Sequence, residues 1–353
     1  MFSLISIYHL VQYPLIILIC LNFFTIIFWK KIFFYLNLNF YKKKQRIHEN
    51  EIPRIGGFLI FIFFILCLFF LENNKNEFLF KILVSFFPIF IFSLKEDFFQ
   101  NTKPSTRIIS MIISCLIFFF LDQTEFPLLD ISFYYSIFAN KYFLLIFFTF
   151  STLIIINGIN LIDGANGIVG ATFLTQLLSL IYLANEFNDN FFHNFILVFI
   201  YSIIIFLVFN YPLGKIFLGD LGAYLIGFII SILIIKFFGV HKNLMSWNAI
   251  LILFYPSIEI LFSFIRKLFY EKKSPLEADN MHLHSLIFKL GKTKSINTKL
   301  MNNLIIILLS PFWLGPLFFV RYYQNLKLII LALIFLTITY ILMYIYFRIN
   351  TEK

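Results

Sequence analysis

The chain has 353 residues, of which 61% are hydrophobic and only 13% are charged, and its formal net charge is +10. This composition is too apolar for a water-soluble domain and indicates an integral membrane protein. Three cysteines lie inside apolar runs without CxxC or Cys/His spacing, which argues against a disulfide framework or a zinc site. No nucleic-acid-binding module or repeat is present, so we expect no nucleic-acid partner.

Apolar runs long enough to cross about 30 Å of hydrocarbon predict about eleven transmembrane helices and an all-α, polytopic fold. The first run lacks a preceding Lys or Arg, so we expect a retained span rather than a signal peptide. We expect one membrane domain over residues 1–353. The predicted spans are 8–29, 55–71, 78–94, 108–121, 143–160, 167–184, 191–211, 221–238, 247–265, 304–320 and 328–347.

The distribution of basic residues predicts the orientation. With the N-terminus outside, the cytoplasmic segments hold 21 of the 28 Lys and Arg residues, as the positive-inside rule requires. Every unusual polar block then faces the cytoplasm, including a loop over 266–303 that carries a histidine motif. A basic surface of this kind suits anionic lipid head groups and an anionic substrate, although topology alone also favours it.

The first polar block, KEDFFQNTKPSTR (95–107), begins with the adjacent acids Glu96 and Asp97 at the inner end of the third span. Adjacent carboxylates followed by Lys103 and Arg107 suit Mg²⁺ together with a phosphate group. The alternative is an ordinary interfacial charge cluster.

The second block, NGINLIDGANGIVG (157–170), interrupts an otherwise apolar region. Asn157, Asn160 and Asp163 are spaced by three and form one polar face at the inner end of the fifth predicted span. A carboxylate near hydrocarbon is costly unless it is paired, solvated or metal-bound, which indicates a functional role. The glycines that follow predict a tight turn before a helix whose N-terminal amides could bind phosphate. The alternative is a polar turn between packed spans.

Two further blocks lie at the same predicted membrane depth. Asp220, in KIFLGD, precedes a span and is either a helix N-cap or part of a metal site with the other acids. In ADNMHLHSLIFKLG, His282 and His284 precede a short apolar helix that we expect to lie along the membrane interface. Two histidines beside Asp279 suggest contact with a sugar phosphate, and their spacing does not suggest zinc.

Taken in order, these blocks resemble those of the polyprenyl-phosphate N-acetylhexosamine-1-phosphate transferase family (glycosyltransferase family 4). The similar segments are PRIGG (53–57), KEDFFQNTKPSTR (95–107), NGINLIDGANG (157–167), FLGDLGAYLIG (217–227) and ADNMHLHSLI (278–287). A weaker similarity covers PSIEILFSFIRK (256–267), in which Glu259 stands where many relatives carry Asp.

The resemblance implies a reaction at the cytoplasmic face of the bacterial inner membrane. The phosphate of undecaprenyl phosphate attacks the β-phosphorus of a UDP-N-acetylhexosamine, which yields a lipid-diphosphate-sugar and UMP. The reaction requires Mg²⁺, with Mn²⁺ as an alternative, and begins a cell-envelope glycan. A homodimer is left open.

The resemblance also implies roles for individual residues. Asp220 and Asp97 are the expected metal ligands, and the expected catalytic residues are Glu96, Asp97, Asp163 and Asp220. The expected substrate-binding residues are Arg54, Lys103, Asn157, Asn160, Asn166, His282 and His284.

Four positions depart from the usual pattern: Glu96 replaces Asp, Asn166 replaces an acid, Asn280 replaces a basic residue and Ser285 replaces a third histidine. The missing third histidine favours an enzyme that begins surface-polysaccharide synthesis over the peptidoglycan translocase. The competing hypotheses are a transporter or flippase of lipid-linked sugar and a catalytically inactive relative.

Overall fold

A computed structural model of the protein describes residues 2–35, 52–71, 73–129, 140–274 and 279–352. Within these ranges the chain forms fourteen α-helices and no β-strand, which confirms the all-α fold. The helices are α1 (Phe2–Tyr35), α2 (Gly56–Cys67), α3 (Asn73–Phe99), α4 (Pro104–Asp122), α5 (Lys141–Ile162), α6 (Ile168–Glu186), α7 (Asn190–Asn210), α8 (Gly219–Val240), α9 (Trp247–Ile252), α10 (Phe254–Ile265), α11 (Leu283–Thr293), α12 (Thr298–Leu308), α13 (Pro311–Phe319) and α14 (Leu326–Glu352). A π-helical turn, Arg266–Glu271, extends α10.

Nine stretches of the described residues are long and apolar enough to cross a bilayer, so the protein is polytopic as expected. Each of the nine coincides with a predicted span. They are Val11–Phe28, Asn74–Phe99, Pro104–Asp122, Lys141–Ile162, Ile168–Glu186, Asn190–Asn210, Gly219–Val240, Thr298–Tyr322 and Leu326–Thr351. The exact number of spans, the outside position of the N-terminus and the single-domain organisation stay predictions.

The two other predicted spans form shorter helices. The run 55–71 contains the 12-residue helix α2 and then turns. The run 247–265 divides at Leu253 into α9, with 6 residues, and α10, with 12. The 12 residues of α2 rise about 18 Å at about 1.5 Å per residue, which is less than the roughly 30 Å of a hydrocarbon core, whereas α10 continues into the π-helical turn.

Helix α8 lies at the centre of the bundle. It is buried without interruption over 221–235, and it packs against α2, α3, α5 and α6. At its crossing with α2, a Cβ on Gly222 would lie 2.7 Å from the Cα of Gly57, so only small residues permit this approach. The crossing holds the segment before α2 at the N-terminal end of α8.

The polar blocks lie at one end of the bundle. Helices α3 and α5 end there, and α4, α6 and α8 begin there, because short connections join antiparallel neighbours. The opposite end carries its own ion pairs, in which Asp122 lies 2.7 Å from Lys236 and Asp189 lies 2.8 Å from His241. The chemistry expected from the sequence is therefore confined to a single end.

Helix α11 was expected to lie along the membrane interface, which stays a prediction, but its apolar face is covered by protein. Its apolar residues Leu283, Leu286 and Ile287 are fully buried, and the helix packs against α12 and α14. The apolar face therefore binds protein rather than lipid. This packing fixes the preceding histidines relative to the membrane helices.

Candidate active site

The carboxylate of Asp97 caps helix α8. Asp97 lies in the last turn of α3, where its Oδ1 accepts from the Asp220 amide at 2.8 Å and its Oδ2 accepts from the Leu221 amide at 2.9 Å. The first amides of a helix lack intrahelical acceptors and favour a negative charge nearby. The local N-cap residue, Leu218, makes no side-chain capping bond. Asp97 therefore fixes Asp220 and the start of α8 to the end of α3.

The segment before α2 places Arg54 beside this cap. Three backbone hydrogen bonds of 2.8 to 2.9 Å pair residues 53–57 with residues 217–218. Gly219 follows with a φ of +79°, and a Cβ there would lie 2.7 Å from the Arg54 carbonyl oxygen and 2.8 Å from Asp97 Oδ2. Only glycine suits this position, because the backbone is left-handed and the space is filled. The Arg54 guanidinium interacts electrostatically with Asp97.

Asp220 faces polar side chains of two neighbouring helices. The Asn160 Nδ2 donates to Asp220 Oδ1 at 3.4 Å, and the Arg107 Nη1 lies 3.8 Å from Oδ2. Arg107 also donates to the Tyr224 hydroxyl at 3.3 Å. These long contacts engage the Asp220 carboxylate only weakly. The alternative role of Asp220 as an N-cap does not apply, because Asp97 supplies the capping oxygens.

The two adjacent acids of α3 have different surroundings. Glu96 is buried, and its Oε2 accepts from the backbone amide of Thr102 at 3.1 Å and from the Thr102 hydroxyl. Adjacent helical side chains diverge by about 100°, so Glu96 faces the α3–α4 connection while Asp97 faces α8. Lys103, at the start of α4, is exposed. Of the predicted pair, Asp97 is the member that reaches Asp220.

Asp163 ends α5 near the same charges. The residue is exposed, yet desolvation by the surrounding protein and the charge of Asp220 raise the pKa of its carboxyl, Arg54 opposes them, and the resulting pKa is about 7. Asn157, two turns earlier on α5, donates to a carbonyl of its own helix at 2.8 Å. Asp163 and Asn160 therefore join the site, whereas the Asn157 amide binds its own helix and contacts Met111.

The loop before α6 is held by asparagine side chains. The backbone N–H of Asn166 donates to Asn302 Oδ1 at 3.2 Å, and the backbone N–H of Gly167 donates to Asn210 Oδ1 at 2.6 Å. Asn166 itself is buried. Both loop amides therefore have protein acceptors, and the binding of phosphate by the first amides of α6 stays a prediction.

His282 lies between two carboxylates. Its Nδ1 is 3.0 Å from Glu259 Oε1, and its Nε2 is 3.5 Å from Asp279 Oδ1. Burial opposes the charge of Asp279, but a hydrogen bond from Arg266 and the charge of His282 outweigh it and hold the Asp279 pKa below its ordinary value. Both ring nitrogens of His282 therefore face protein acids.

His284 contacts the loop that carries Asp163. Its imidazole is stacked on that of His282, with ring centroids 5.8 Å apart and an interplanar angle of 7°. It also fills the space in which a Cβ on Gly164 would lie. Burial and the charge of His282 lower the pKa of His284, Glu259 opposes them, and the resulting pKa is about 4. The ring is therefore neutral near pH 7.

The residues around Asp220 fit a hydrated magnesium ion. Mg²⁺ typically takes one or two carboxylates and completes its shell with waters and substrate oxygens. Asp220 is weakly engaged, and each Asp97 oxygen keeps a lone pair after accepting one amide. In the part of the chain that the structure describes, no three acid, histidine or cysteine side chains form a complete metal site by themselves. Substrate phosphates would have to supply ligands.

The structure adds residues that sequence reasoning did not place in the site. Arg107 was noted only as a nearby cation, and nothing in the sequence indicated its contact with Tyr224. Glu259 has a visible signal, because it is an acid within an apolar run. Nothing in the sequence indicates that Thr102 binds Glu96.

The part of the chain that matches a known family includes Asp97, Asp163 and Asp220. A family model described as glycosyl transferase family 4 matches residues 79–238. The undecaprenyl-phosphate alpha-N-acetylglucosaminyl 1-phosphate transferase of Thermotoga maritima is 29% identical over 253 residues, or 71% of this chain and 74% of that protein. The phospho-N-acetylmuramoyl-pentapeptide-transferase of Dictyoglomus turgidum is 31% identical over 237 residues, or 65% of this chain and 72% of that protein.

Proposed function

The chain belongs to glycosyl transferase family 4, and we propose that it transfers N-acetylhexosamine 1-phosphate from a UDP-sugar to undecaprenyl phosphate. An oxygen of the lipid phosphate attacks the β-phosphorus of the donor. The bond between the β-phosphorus and the bridging oxygen breaks, and UMP leaves with that oxygen. The product is a lipid-diphosphate-sugar that begins a surface glycan in the bacterial inner membrane.

The observation that carries the proposal is the meeting of charged side chains from four separate segments at the start of α8. Asp97 binds the Asp220 amide at 2.8 Å, Arg107 lies 3.8 Å from the Asp220 carboxylate, and Arg54 and Asp163 interact electrostatically with this cluster. Such a mixture of acids and fixed cations suits a reaction between two anionic substrates.

Charge repulsion and positioning are the main barriers to this reaction. Phosphoryl transfer is accelerated chiefly by groups that neutralise and orient phosphate oxygens. Arg54 and Arg107 flank the acids and can contact those oxygens. Asp220, with Asp97, would hold Mg²⁺, which supplies further neutralisation when it is bound. Asp97 also keeps Asp220 in place through the cap of α8.

The position of the site at helix ends suits a lipid substrate. Asp97 lies near the end of α3 and Asp220 near the start of α8, and we expect helix ends of this kind to lie where hydrocarbon gives way to the interface. A phosphate attached to a polyprenyl chain can reach this depth while its chain stays among lipids. A transporter would more typically place its coupling charges near the bilayer midplane on broken helices.

The test is transfer by the purified protein. The protein is incubated with Mg²⁺, undecaprenyl phosphate and each of several UDP-N-acetylhexosamines, and lipid-linked sugar and UMP are quantified. We expect both products from at least one donor, and no product from Asp220→Asn. Glu125→Gln is the matched control, because this acid is exposed in an ion pair with Lys242 at the opposite end of the bundle. If the wild type forms no product while the Thermotoga maritima relative does, the proposal is wrong.

A further inference from the structure

Glu259 binds three donors from two other helices and the connecting segment. Its Oε1 accepts from His282 Nδ1 at 3.0 Å and from the Leu283 amide at 3.3 Å, and its Oε2 accepts from the Tyr340 hydroxyl at 2.9 Å. Glu259 is only 1% exposed. A buried carboxylate is costly unless its oxygens are satisfied, and these three bonds satisfy it as an acceptor.

The contact with Leu283 caps helix α11 from a different helix. The local N-cap residue, His282, makes no side-chain capping bond. Glu259 reaches across from α10 and supplies both the acceptor and the negative charge that the first amides of α11 favour. The carboxylate therefore ties the start of α11 to α10, and through Tyr340 to α14.

The carboxylate of Asp279 also faces the His282 ring. Asp279 lies 3.5 Å from His282 Nε2, and Arg266 donates to Asp279 at 2.8 Å. Carboxylate oxygens face both ring nitrogens, so each nitrogen that carries a proton has an acceptor. The ring therefore has one preferred orientation, and Glu259 provides the shorter of its two contacts.

The orientation of His282 fixes that of His284. The two rings are stacked, and His284 lies against Gly164, the residue that follows Asp163. Within the described residues, the Nδ1 of His284 has no hydrogen-bond partner, so protein contacts other than stacking and packing do little to orient this ring. Displacement of α11 would move His284 away from the Asp163 loop.

We propose that Glu259 is a positioning residue whose charge holds the His282–His284 segment against the Asp163 loop, on the sugar-phosphate side of the site. The inference rests on the proposed function. Glu259 does not touch the cluster around Asp220, so its effect reaches the reaction through the histidines.

The test compares Glu259→Gln, which keeps the shape and removes the charge, with Glu259→Asp, which keeps the charge and shortens the side chain. We expect kcat/KM for the UDP-sugar to fall about 100-fold in Glu259→Gln, because displacement by about 1 Å has effects of this size. Glu259→Asp should retain more activity than Glu259→Gln, because a carboxylate can still pair with His282 while an amide cannot. The KM for undecaprenyl phosphate should stay unchanged in both variants.

Tyr340→Phe provides a milder variant that removes one of the three bonds and leaves the charge. It should lower kcat/KM for the UDP-sugar about two- to tenfold, the value of one net hydrogen bond. Tyr344→Phe is its matched control, since Tyr344 lies one turn further on α14 and its hydroxyl has no hydrogen-bond partner among the described residues. This control should keep wild-type kinetics.

The outcomes separate the two proposals. An inactive wild type contradicts the proposed function. An active wild type with unchanged kinetics in Glu259→Gln overturns the positioning role, and so does a Glu259→Asp variant that is no better than Glu259→Gln. If Glu259→Gln does not fold, Tyr340→Phe decides, and kinetics equal to those of Tyr344→Phe overturn the inference.

Discussion

Asp97 and Asp220 lie in one cluster, but we expect Asp97 to contribute more to the stability of the folded protein, because its carboxylate makes shorter hydrogen bonds. Asp97 accepts two amides of α8, at 2.8 and 2.9 Å. In Asp97→Asn the single amide oxygen can accept only one of them well, and the new NH₂ group faces the other donor. The variant therefore leaves one amide unsatisfied at a helix N-terminus.

The magnitude follows from these contacts. An unsatisfied buried N–H costs about 1–3 kcal/mol, and loss of a negative charge at a helix N-terminus costs about 0.3–1 kcal/mol. Asp97→Asn should therefore lower the free energy of unfolding by roughly 1–4 kcal/mol. The carboxylate of Asp220 has only long contacts, at 3.4 and 3.8 Å, so Asp220→Asn should change stability by less than about 1 kcal/mol.

Activity should respond differently from stability. Asp220→Asn should lower kcat for transfer at least about 100-fold, a typical effect of removing a group that stabilises transition-state charge. Asp97→Asn should lower both activity and stability, because it releases the start of α8. Denaturation of the purified protein in detergent, followed by circular dichroism, and the transfer assay measure the two effects. A fully stable Asp97→Asn, or an Asp220→Asn as destabilised as Asp97→Asn, would refute the reasoning.

Three further predictions concern the loops around the site. Gly219→Ala should be destabilised by about 1–2 kcal/mol through its left-handed backbone and should also lose activity, because its Cβ would lie 2.7 Å from the Arg54 carbonyl oxygen; denaturation and transfer assays measure both. Asp163 has an ordinary pKa of 3.8 that is raised to about 7 in the folded protein, so without divalent metal the stability of the wild type relative to Asp163→Asn should fall as pH rises from about 4 to 7. Gly164→Ala should cost about 1–3 kcal/mol through overpacking, and less in a His284→Ala background, because its Cβ would meet the His284 ring; a double-mutant cycle measures the coupling.

Each of these predictions has a control or a contradicting result. Gly315→Ala is the control for Gly219→Ala, since its Cβ would meet only the end of the Leu336 side chain, at 2.9 Å. A pH-independent stability difference between the wild type and Asp163→Asn would contradict the raised pKa. Equal costs of Gly164→Ala in both backgrounds would show that His284 does not occupy that space.

Much of the fold was predictable because membrane crossing depends on length and composition. Nine predicted spans match described stretches that are long and apolar enough to cross a bilayer, and the polar blocks lie at one end. The break at Leu253 could not be predicted, since an apolar run has the same hydropathy whether or not its helix is continuous. The burial of α11 was also missed, because its apolar face suits protein and lipid equally well.

The sequence predicted which residues belong to the site better than it predicted the contacts that they make. The sequence placed Asp97, Asp163 and Asp220 at one depth, and the structure brings them together. It could not separate the roles of Glu96 and Asp97, because the direction of each side chain is set by helices far away in sequence. Asp97 binds an amide 123 positions further along the chain, and no local pattern indicates such a bond.

The central claim is that the acids around Asp220 support the metal-dependent, reversible transfer of a sugar 1-phosphate from a UDP-sugar to a lipid phosphate. Its most direct test is the incorporation of labelled UMP into UDP-sugar by purified protein supplied with lipid-diphosphate-sugar. We predict exchange in the wild type only when Mg²⁺ and the lipid are both present, and none in Asp220→Asn despite normal folding. Exchange that persists in Asp220→Asn at the wild-type rate, or a wild type that shows none, would contradict the account.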